Sequence, residues 1–327
     1  MERHYFSAAN TPLGFYSCFD SVIDKYRANR VYYIKGGSGC GKSTFMKKIG
    51  AAFKDAEYFH CSSDVNSLDG VLIPSKKAAV FDGTAPHVQD PVLCGAADET
   101  VDFGAFLHKD MLIKARKEIF RLVTEKAVFF KNAYRYLAAA SALAPVPSFE
   151  KDCTFARLLD DTKEKYGLHI IAGTAGKKRS LFAEGFTPQG KVNFYNELFT
   201  GKTVKVTGDT AACFLEELGN AFLLGGYDVD FLLSPLRPDC CDHLLVRDLS
   251  LVFSAAFSGD GTEEIILSPQ SGCLDEPLYN SLIEKAIDSL RRAKELHGQV
   301  EKHYIPAIDF SKVDEKCAAV LEEIQGY

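Results

Sequence analysis

One segment near the start of the chain, residues 36–44 with the sequence GGSGCGKST, constrains the fold more than any other. It matches the phosphate-binding pattern GxxxxGK[ST] in full, and that pattern requires a β-strand before it and an α-helix after it. Residues 31–35 are β-branched and aromatic, and apolar residues recur at helical spacing over 43–49. The residues expected around the phosphates are Gly36, Gly37, Ser38, Gly39, Cys40, Gly41, Lys42, Ser43 and Thr44.

Each residue type in this segment has a physical reason. Glycines let the backbone bend around a phosphate with its N–H groups turned inward, and the helix start adds a partial positive charge. Lys42 is expected to reach the β- and γ-phosphates, and the Ser43 hydroxyl to ligate Mg²⁺. No NKxD segment favours guanine. The sequence therefore predicts a nucleoside triphosphate site, with ATP and Mg²⁺ as the expected ligands.

A magnesium site of this kind needs a carboxylate at the tip of a neighbouring strand. Residues 78–81 are apolar and end in Asp82, which is the expected magnesium partner of Ser43. Motor-type ATPases usually have Glu directly after this Asp, but here Gly83 follows, so the usual base is missing. His87, in the loop that leaves this strand, is a candidate to sense or polarise the γ-phosphate.

A second predicted strand, residues 57–61, is expected to lead into a polar loop over residues 62–70. Ligands of open α/β sheets lie at the carboxyl ends of the strands. Asp64 or Asp69 is therefore a candidate base or metal contact at the γ-phosphate. Capping of a helix or turn is the alternative role for these two carboxylates.

The chain also contains an internal repeat. Residues 3–14 and 179–190 share an Arg followed by Phe and then Thr-Pro-x-Gly, and the helix around Phe45 recurs around Phe214. Two ordinary βαβ units are the alternative explanation. The repeat matches residues of the first copy to residues of the second as follows: Gly36 falls on Lys205, Gly39 on Gly208, Gly41 on Thr210, Lys42 on Ala211, Ser43 on Ala212, Asp69 on Asp242 and Asp82 on Ser254. The second copy is thus expected to keep the fold but not to bind Mg·ATP.

These patterns predict an α/β fold, specifically a three-layer α/β/α P-loop NTPase fold in two tandem repeats, each with a helical appendage. The predicted domains are residues 1–175, with a helical insertion at 105–166, and residues 176–327, which end in helices over 278–303 and 313–325. Three arginines of the first appendage could form a lid, although a solvated helix face is the simpler prediction; they are Arg116, Arg121 and Arg135.

Charge and composition indicate which classes of partner and which location to expect. The net charge of −6 offers no overall positive field to nucleic acid, and no apolar stretch is long enough for a signal peptide or a membrane span. The ten cysteines are scattered and form no CxxC pair, which favours a reducing, cytoplasmic location. The sequence leaves a protein partner or a homo-oligomer open.

Several strings resemble a bacterial family of two-repeat P-loop ATP-binding proteins, and the resemblance covers nearly the whole chain. They lie at residues 6–14, 35–44, 60–64, 67–70 and 82–87. Activity in this family is assigned largely from the motif, so the resemblance implies a fold and ATP as ligand but no substrate. The second repeat of such proteins can carry an intact loop, and this chain departs from that pattern.

Three functions remain open from the sequence. The first is an ATP hydrolase whose turnover switches its conformation, with the inert repeat as regulator or partner surface. The second is a kinase that moves the γ-phosphoryl to a nucleotide or small molecule held by residues 64–69 and 84–87. The third is a non-catalytic scaffold gated by nucleotide.

Overall fold

The computed structural model describes residues 2–168, 173–257, 263–267 and 274–327. The strands of the first half are β1 Arg3–Tyr5, β2 Ala8–Thr11, β3 Gly14–Ser17, β4 Arg30–Lys35, β5 Glu57–Cys61, β6 Asp64–Ile73, β7 Ala78–Asp82 and β8 Asp98–Asp102. Those of the second half are β9 Lys178–Leu181, β10 Glu184–Thr187, β11 Gly190–Asn193, β12 Lys202–Thr207, β13 Val229–Leu233, β14 Cys241–Val246, β15 Leu251–Ser254 and β16 Glu263–Ile266. The α-helices are α1 Lys42–Gly50, α2 Lys109–Leu143, α3 Cys153–Lys165, α4 Tyr195–Leu198, α5 Ala211–Leu224, α6 Glu276–Tyr304 and α7 Phe310–Gly326.

Most predicted elements are present, and one is wrong. The strands around the phosphate loop and the helices of both appendages lie where the periodicity placed them. The predicted polar loop over residues 62–70 is instead largely strand β6, which runs antiparallel between β5 and β7. Its alternation is hidden because the pairing with β5 shifts register on both sides of His60 and the polar residues 64–67 lie near the sheet end.

The two halves have the same sheet topology. The first sheet has the order β1-β5-β6-β7-β4-β8, and the second has β9-β13-β14-β15-β12-β16 with the same parallel and antiparallel pairs. The shared Thr-Pro-x-Gly segments form equivalent hairpin turns, in which the Thr11 and Thr187 hydroxyls donate to Gly14 and Gly190. The internal repeat is therefore confirmed, and the fold is mixed α/β.

Side chains alternate between the two faces of each sheet, so each sheet contributes to two cores. Tyr32 and Ile34 point outward to α1 and α7, whereas Val31 and Tyr33 point inward. The inward core is shared, because residues from both sheets pack there with the hairpins and with one-turn helices. Among the described elements, the longer helices that pack on the two sheets thus lie on their outer faces.

A pseudo-two-fold relation joins the halves at Phe6 and Phe182, whose backbones exchange two hydrogen bonds of 2.9 Å. Beside them the buried guanidinium of Arg179 bridges the sheets. It bonds Glu57 of β5 at 2.5 Å and Asp230 of β13 at 2.7 Å. Several charge-assisted bonds satisfy this buried cation, so the ion pair fixes how the sheets meet.

Outer helices are exchanged between the halves. Helix α3 follows the first sheet but packs on the second, through Phe155 and Leu159. Helix α7 ends the chain but packs on the first sheet, beside α1, through residues that include Val313 and Val320. Two long antiparallel helices, α2 and α6, make these crossings and pack along each other. The predicted domain boundary between residues 175 and 176 divides the chain by sequence order. Helices α3 and α7 each pack on the sheet of the other half, so the packing does not follow that boundary.

No helix in the described ranges combines the length and the apolar character needed to cross a bilayer.

Candidate functional site

The phosphate loop joins β4 to α1. Gly39 and Gly41 have φ angles of 72° and 84°, which lie in the left-handed region that side chains disfavour. Gly41 is the residue directly before the helix, so its conformation turns the chain into the first helical turn. The loop therefore curls around the start of α1, where unpaired backbone N–H groups and the helix dipole favour an anion.

Lys42 lies across the mouth of this loop. Its ammonium donates to the carbonyls of Gly36 at 3.0 Å and Gly37 at 2.8 Å, and it lies 3.6 Å from a carboxylate oxygen of Asp82. An ammonium has three donors, so two hold the side chain in place and one remains for another acceptor.

Asp82 is the carboxylate beside that lysine, and Ser43 follows the lysine in the first turn of α1. Asp82 ends β7, the strand next to β4, and one of its oxygens accepts from the Thr84 amide at 2.8 Å. The Thr84 hydroxyl in turn bonds Gly36, which ties this turn to the loop. Ser43 accepts from the amide of Leu68 at 2.9 Å. Because a hydroxyl has two lone pairs, this bond leaves one for a metal.

Asp64 is oriented by helix α6 rather than by the loop. Its carboxylate bonds Lys294 at 2.7 Å and the Ser67 hydroxyl at 3.0 Å. Burial alone would raise the pKa of Asp64, but the bond and charge of Lys294 lower it below its usual value. This candidate base or metal contact thus forms an ion pair that joins β6 to α6.

His87 lies beside Asp69, deep under the sheet edge. Its Nε2 is 3.4 Å from Asp69, and both side chains are buried. The rings of Phe15 and Phe19 meet the imidazole edge to face. Burial raises the pKa of Asp69, an effect that the charge of His87 opposes and that of Asp82 reinforces. His87 and Asp69 therefore form a buried polar pair, close enough to Asp82 for its charge to act on Asp69.

Cys61 lies beside Asp69 and His87 and is not among the site residues that the sequence predicts. Its sulfur and ligand atoms of Asp69 and His87 all lie within 4.8 Å of one another. Burial and the nearby Asp69 carboxylate raise the pKa of the Cys61 thiol. The sequence feature that could have indicated Cys61 is its position at the end of a predicted strand, next to the segment that carries the candidates Asp64 and Asp69.

Helices from the other half cover the loop. A Cβ on Gly37 would lie 2.2 Å from the Tyr304 ring, and one on Gly39 would lie 3.0 Å from Ile305. Tyr304 ends α6, so the loop is packed directly against the C-terminal part of the chain. Helical periodicity marks such a face as buried but does not say which partner covers it.

Lys126 of α2 is a second lysine near the loop. Its ammonium lies 3.2 Å from the His297 ring of α6. Burial lowers the pKa of Lys126, and the charge of Lys42 adds to this effect, while the Cys61 thiol and Glu301 oppose it. By contrast, Arg121 lies exposed and pairs with Glu118 and Glu125 on its own helix. Arg116 and Arg135 are exposed too.

The corresponding loop of the second half is shorter. It spans residues 208–210 between β12 and α5, against residues 36–41 in the first half. Strand register places Lys205 at the position of Tyr33, not of Gly36, because its neighbours Val204 and Val206 face the outer core as Tyr32 and Ile34 do. The second loop is thus shorter and also lacks the lysine and the serine of the first.

Register supports the match of Asp69 with Asp242. Arg3 pairs with Glu57, and the repeated Arg179 pairs with Asp230, which places Phe59 at Leu232. Phe59 pairs with Gly70 and Leu232 pairs with His243, so the residue at the position of Asp69 is Asp242. The His243 ring bonds the Ser254 hydroxyl at 2.7 Å. The second half thus keeps the carboxylate of Asp69 as Asp242.

Comparison of the chain with protein-family models, curated proteins and solved structures gave no significant match.

Proposed function

We propose that the chain is a P-loop NTPase that binds Mg·ATP in its first half and hydrolyses it at that single site. The observation that carries the proposal is the convergence of Lys42, Ser43 and Asp82 around a glycine loop at a helix start. The parallel strands β7, β4 and β8, with the loop between β4 and α1, support the finer assignment to the P-loop NTPase fold.

The residues fit the expected ligands. Loop amides and the third donor of Lys42 would bind the β- and γ-phosphates. Ser43 and Asp82 offer oxygen atoms, the donor type that Mg²⁺ prefers, directly or through water. When bound, Mg²⁺ would neutralise charge on the phosphate oxygens. Lys126 would add a second positive charge from α2, and its lowered pKa is what a nearby cation and burial produce.

The helical cover supports a hydrolase whose turnover is felt in the other half. Tyr304 and Ile305 follow the second sheet in the chain yet lie against Gly37 and Gly39. A change in the loop on binding or releasing phosphate would therefore shift the end of α6.

The proposal is tested by measuring ATP binding and phosphate release in three proteins: the unaltered chain, Lys42→Ala and Lys54→Ala. Lys54 is an exposed lysine just beyond α1, so it controls for the loss of one positive charge. We expect Lys42→Ala to abolish binding and Lys54→Ala to retain it. An unchanged dissociation constant in Lys42→Ala would contradict the assignment of the site.

Adding possible phosphoryl acceptors to the assay distinguishes hydrolysis from phosphoryl transfer. The same assay is repeated with a panel of nucleosides, nucleotides and small hydroxyl compounds. Phosphate released to water without any acceptor supports the hydrolase. Label that appears only on an acceptor would replace hydrolysis with phosphoryl transfer, and tight binding without either would leave a nucleotide-gated scaffold.

A further inference from the structure

We infer that Cys61, Asp69 and His87 form a binding site for a transition-metal ion of the zinc class, separate from the magnesium site at Ser43 and Asp82. The three residues come from different segments, namely the end of β5, the middle of β6 and the loop after β7. Their ligand atoms lie within 4.8 Å of one another. A single ion between them would need only small side-chain adjustments.

The donor set selects the type of metal. Mg²⁺ and Ca²⁺ bind almost entirely to oxygen, whereas a thiolate and an imidazole suit Zn²⁺ and its neighbours. Three protein ligands with a fourth position left open are the arrangement found at catalytic zinc sites. The set Cys, Asp and His therefore favours an ion such as Zn²⁺.

Unsatisfied polar atoms give independent support. Asp69 and His87 are only 3% and 7% exposed, yet Nδ1 of His87 has no hydrogen-bond partner among the described residues. Oδ2 of Asp69 has no hydrogen bond there either, and its nearest ion-pair contact is Nε2 of His87 at 3.4 Å. A buried polar atom without a partner destabilises the fold, and more so when it carries a charge. A coordinated cation would remove this destabilisation at the carboxylate and neutralise its charge.

The surroundings hold the ligands in place. The register shifts on both sides of His60 lie beside Cys61, and bulges of this kind re-aim side chains at the end of a sheet. Phe15 and Phe19 fix the plane of the His87 ring, and the backbone amide of His87 donates to Thr84. Ligands that are ordered before binding lose little entropy when the ion arrives.

The second half gives a natural comparison. Its strand register places Ser234 at the position of Cys61 and Asp242 at that of Asp69. The carboxylate is thus kept, but the thiol is replaced by a hydroxyl in the half that also lacks the phosphate-loop lysine. The loss of the thiol together with the lysine associates the metal site with the nucleotide site of the first half.

The test uses chelator-treated full-length protein and Zn²⁺ or Co²⁺ alone, without nucleotide. Zn²⁺ affinity is measured by competition with a chromogenic chelator, and Co²⁺ is used to detect thiolate-to-metal charge-transfer absorption. On binding, the Cys61 thiol releases its proton to solvent, so uptake should weaken as pH falls. We expect one tightly bound Zn²⁺ per chain and a Co²⁺ charge-transfer band.

Matched variants make the result specific. Cys61→Ser should remove the charge-transfer band, and both Cys61→Ser and Asp69→Asn should weaken Zn²⁺ binding by about 100-fold or more, beyond the 10–100-fold typical of outer residues. Cys94→Ser, at an exposed cysteine, is the control and should bind as the unaltered chain does. Unfolding curves and binding of a fluorescent ATP analogue show that each variant is folded.

Absence of stoichiometric Zn²⁺ in the unaltered chain would overturn the inference, as would equal affinity in Cys61→Ser and Cys94→Ser. Because the titration contains no nucleotide, that result would leave the proposed ATPase function standing. Conversely, a failure of ATP binding in the unaltered chain would not affect the metal titration.

Discussion

Lys42 is held by its own loop before any nucleotide is present. Two of its donors bond Gly36 and Gly37, so the flexible four-carbon side chain is already ordered near Asp82. A free lysine carries about 2 kcal/mol of rotamer entropy, and a pre-ordered one does not lose it again on binding phosphate. This residue is therefore prepared for an anion, and the carboxylate 3.6 Å away needs another cation when the lysine turns to phosphate.

Asp82→Asn tests that need for a cation. Asparagine keeps the shape of the side chain but removes its charge, so the advantage of Mg²⁺ for ATP binding should shrink by about 10- to 100-fold, as the loss of one charge-assisted contact predicts. The measurement is ATP titration with and without Mg²⁺. Asp90→Asn, at an exposed partner of Lys35, is the control. Equal Mg²⁺ dependence in the two variants would remove Asp82 from the metal site.

Asp242 provides a pH test at a place where no catalysis is proposed. Burial raises the pKa of Asp242 from 3.8 to about 6. The folded state thus holds this proton more tightly than the unfolded chain, so between these values stability falls as pH rises. Asp242→Asn should stabilise the protein above pH 6 by up to about 3 kcal/mol and leave it unchanged at pH 3.8 or below. Urea unfolding from pH 3.5 to 7.5 measures this, and a pH-independent effect would contradict it.

At the scale of elements, the end of α6 and the phosphate loop share one surface. Gly37→Ala places a methyl group where the Tyr304 ring now lies, so the loop or the helix end must move and ATP affinity should fall. Removing the ring as well, in Gly37→Ala with Tyr304→Ala, should recover most of that affinity. Gly298→Ala on α6, where a Cβ meets nothing within 4 Å, is the control. Equal losses in the single and double variants would mean that the contact does not act on the loop.

Local pattern predicted elements well, because strand and helix periodicity are properties of short segments. It predicted β4, α1, β7 and the long helices, and it placed Asp82 at a strand tip. It failed at β6, where bulges and polar residues hide the alternation. It also failed at the second loop, because an offset taken from α5 does not hold for β12 when the loop between them is shorter.

The packing of elements that are far apart in the chain could not be predicted from the sequence, for a different reason. The helical faces of α3 and α7 were recognisable as apolar on one side, but nothing in their period says which sheet they cover. The same limit explains why Cys61 and Lys126 were missed at the candidate site. Each becomes notable only when another segment, carrying His87 or His297, is brought beside it.

At the scale of the whole molecule, helix exchange makes each half depend on the other. The outer core of the first sheet contains four α7 residues, Val313, Cys317, Val320 and Ile324, and Arg179 of the second half bonds Glu57 of the first. Residues 1–175 alone would expose that outer core and leave Glu57 buried without its cation. Unpaired buried charge and an uncovered apolar sheet both oppose folding.

We therefore expect residues 1–175 expressed alone to be unfolded or aggregated and to bind no ATP, although they contain the entire phosphate loop. Co-expression with residues 176–327 should restore a soluble complex that binds ATP. In the full chain, Val320→Ala should lower the free energy of unfolding by roughly 2 kcal/mol through the cavity that it leaves, whereas Glu322→Ala on the same helix should change it little. Hydrogen exchange of β4 and β7 should rise in Val320→Ala, because the first sheet loses its cover. Fragment 1–175 that folds and binds ATP alone would show that the exchanged helices are dispensable for the site.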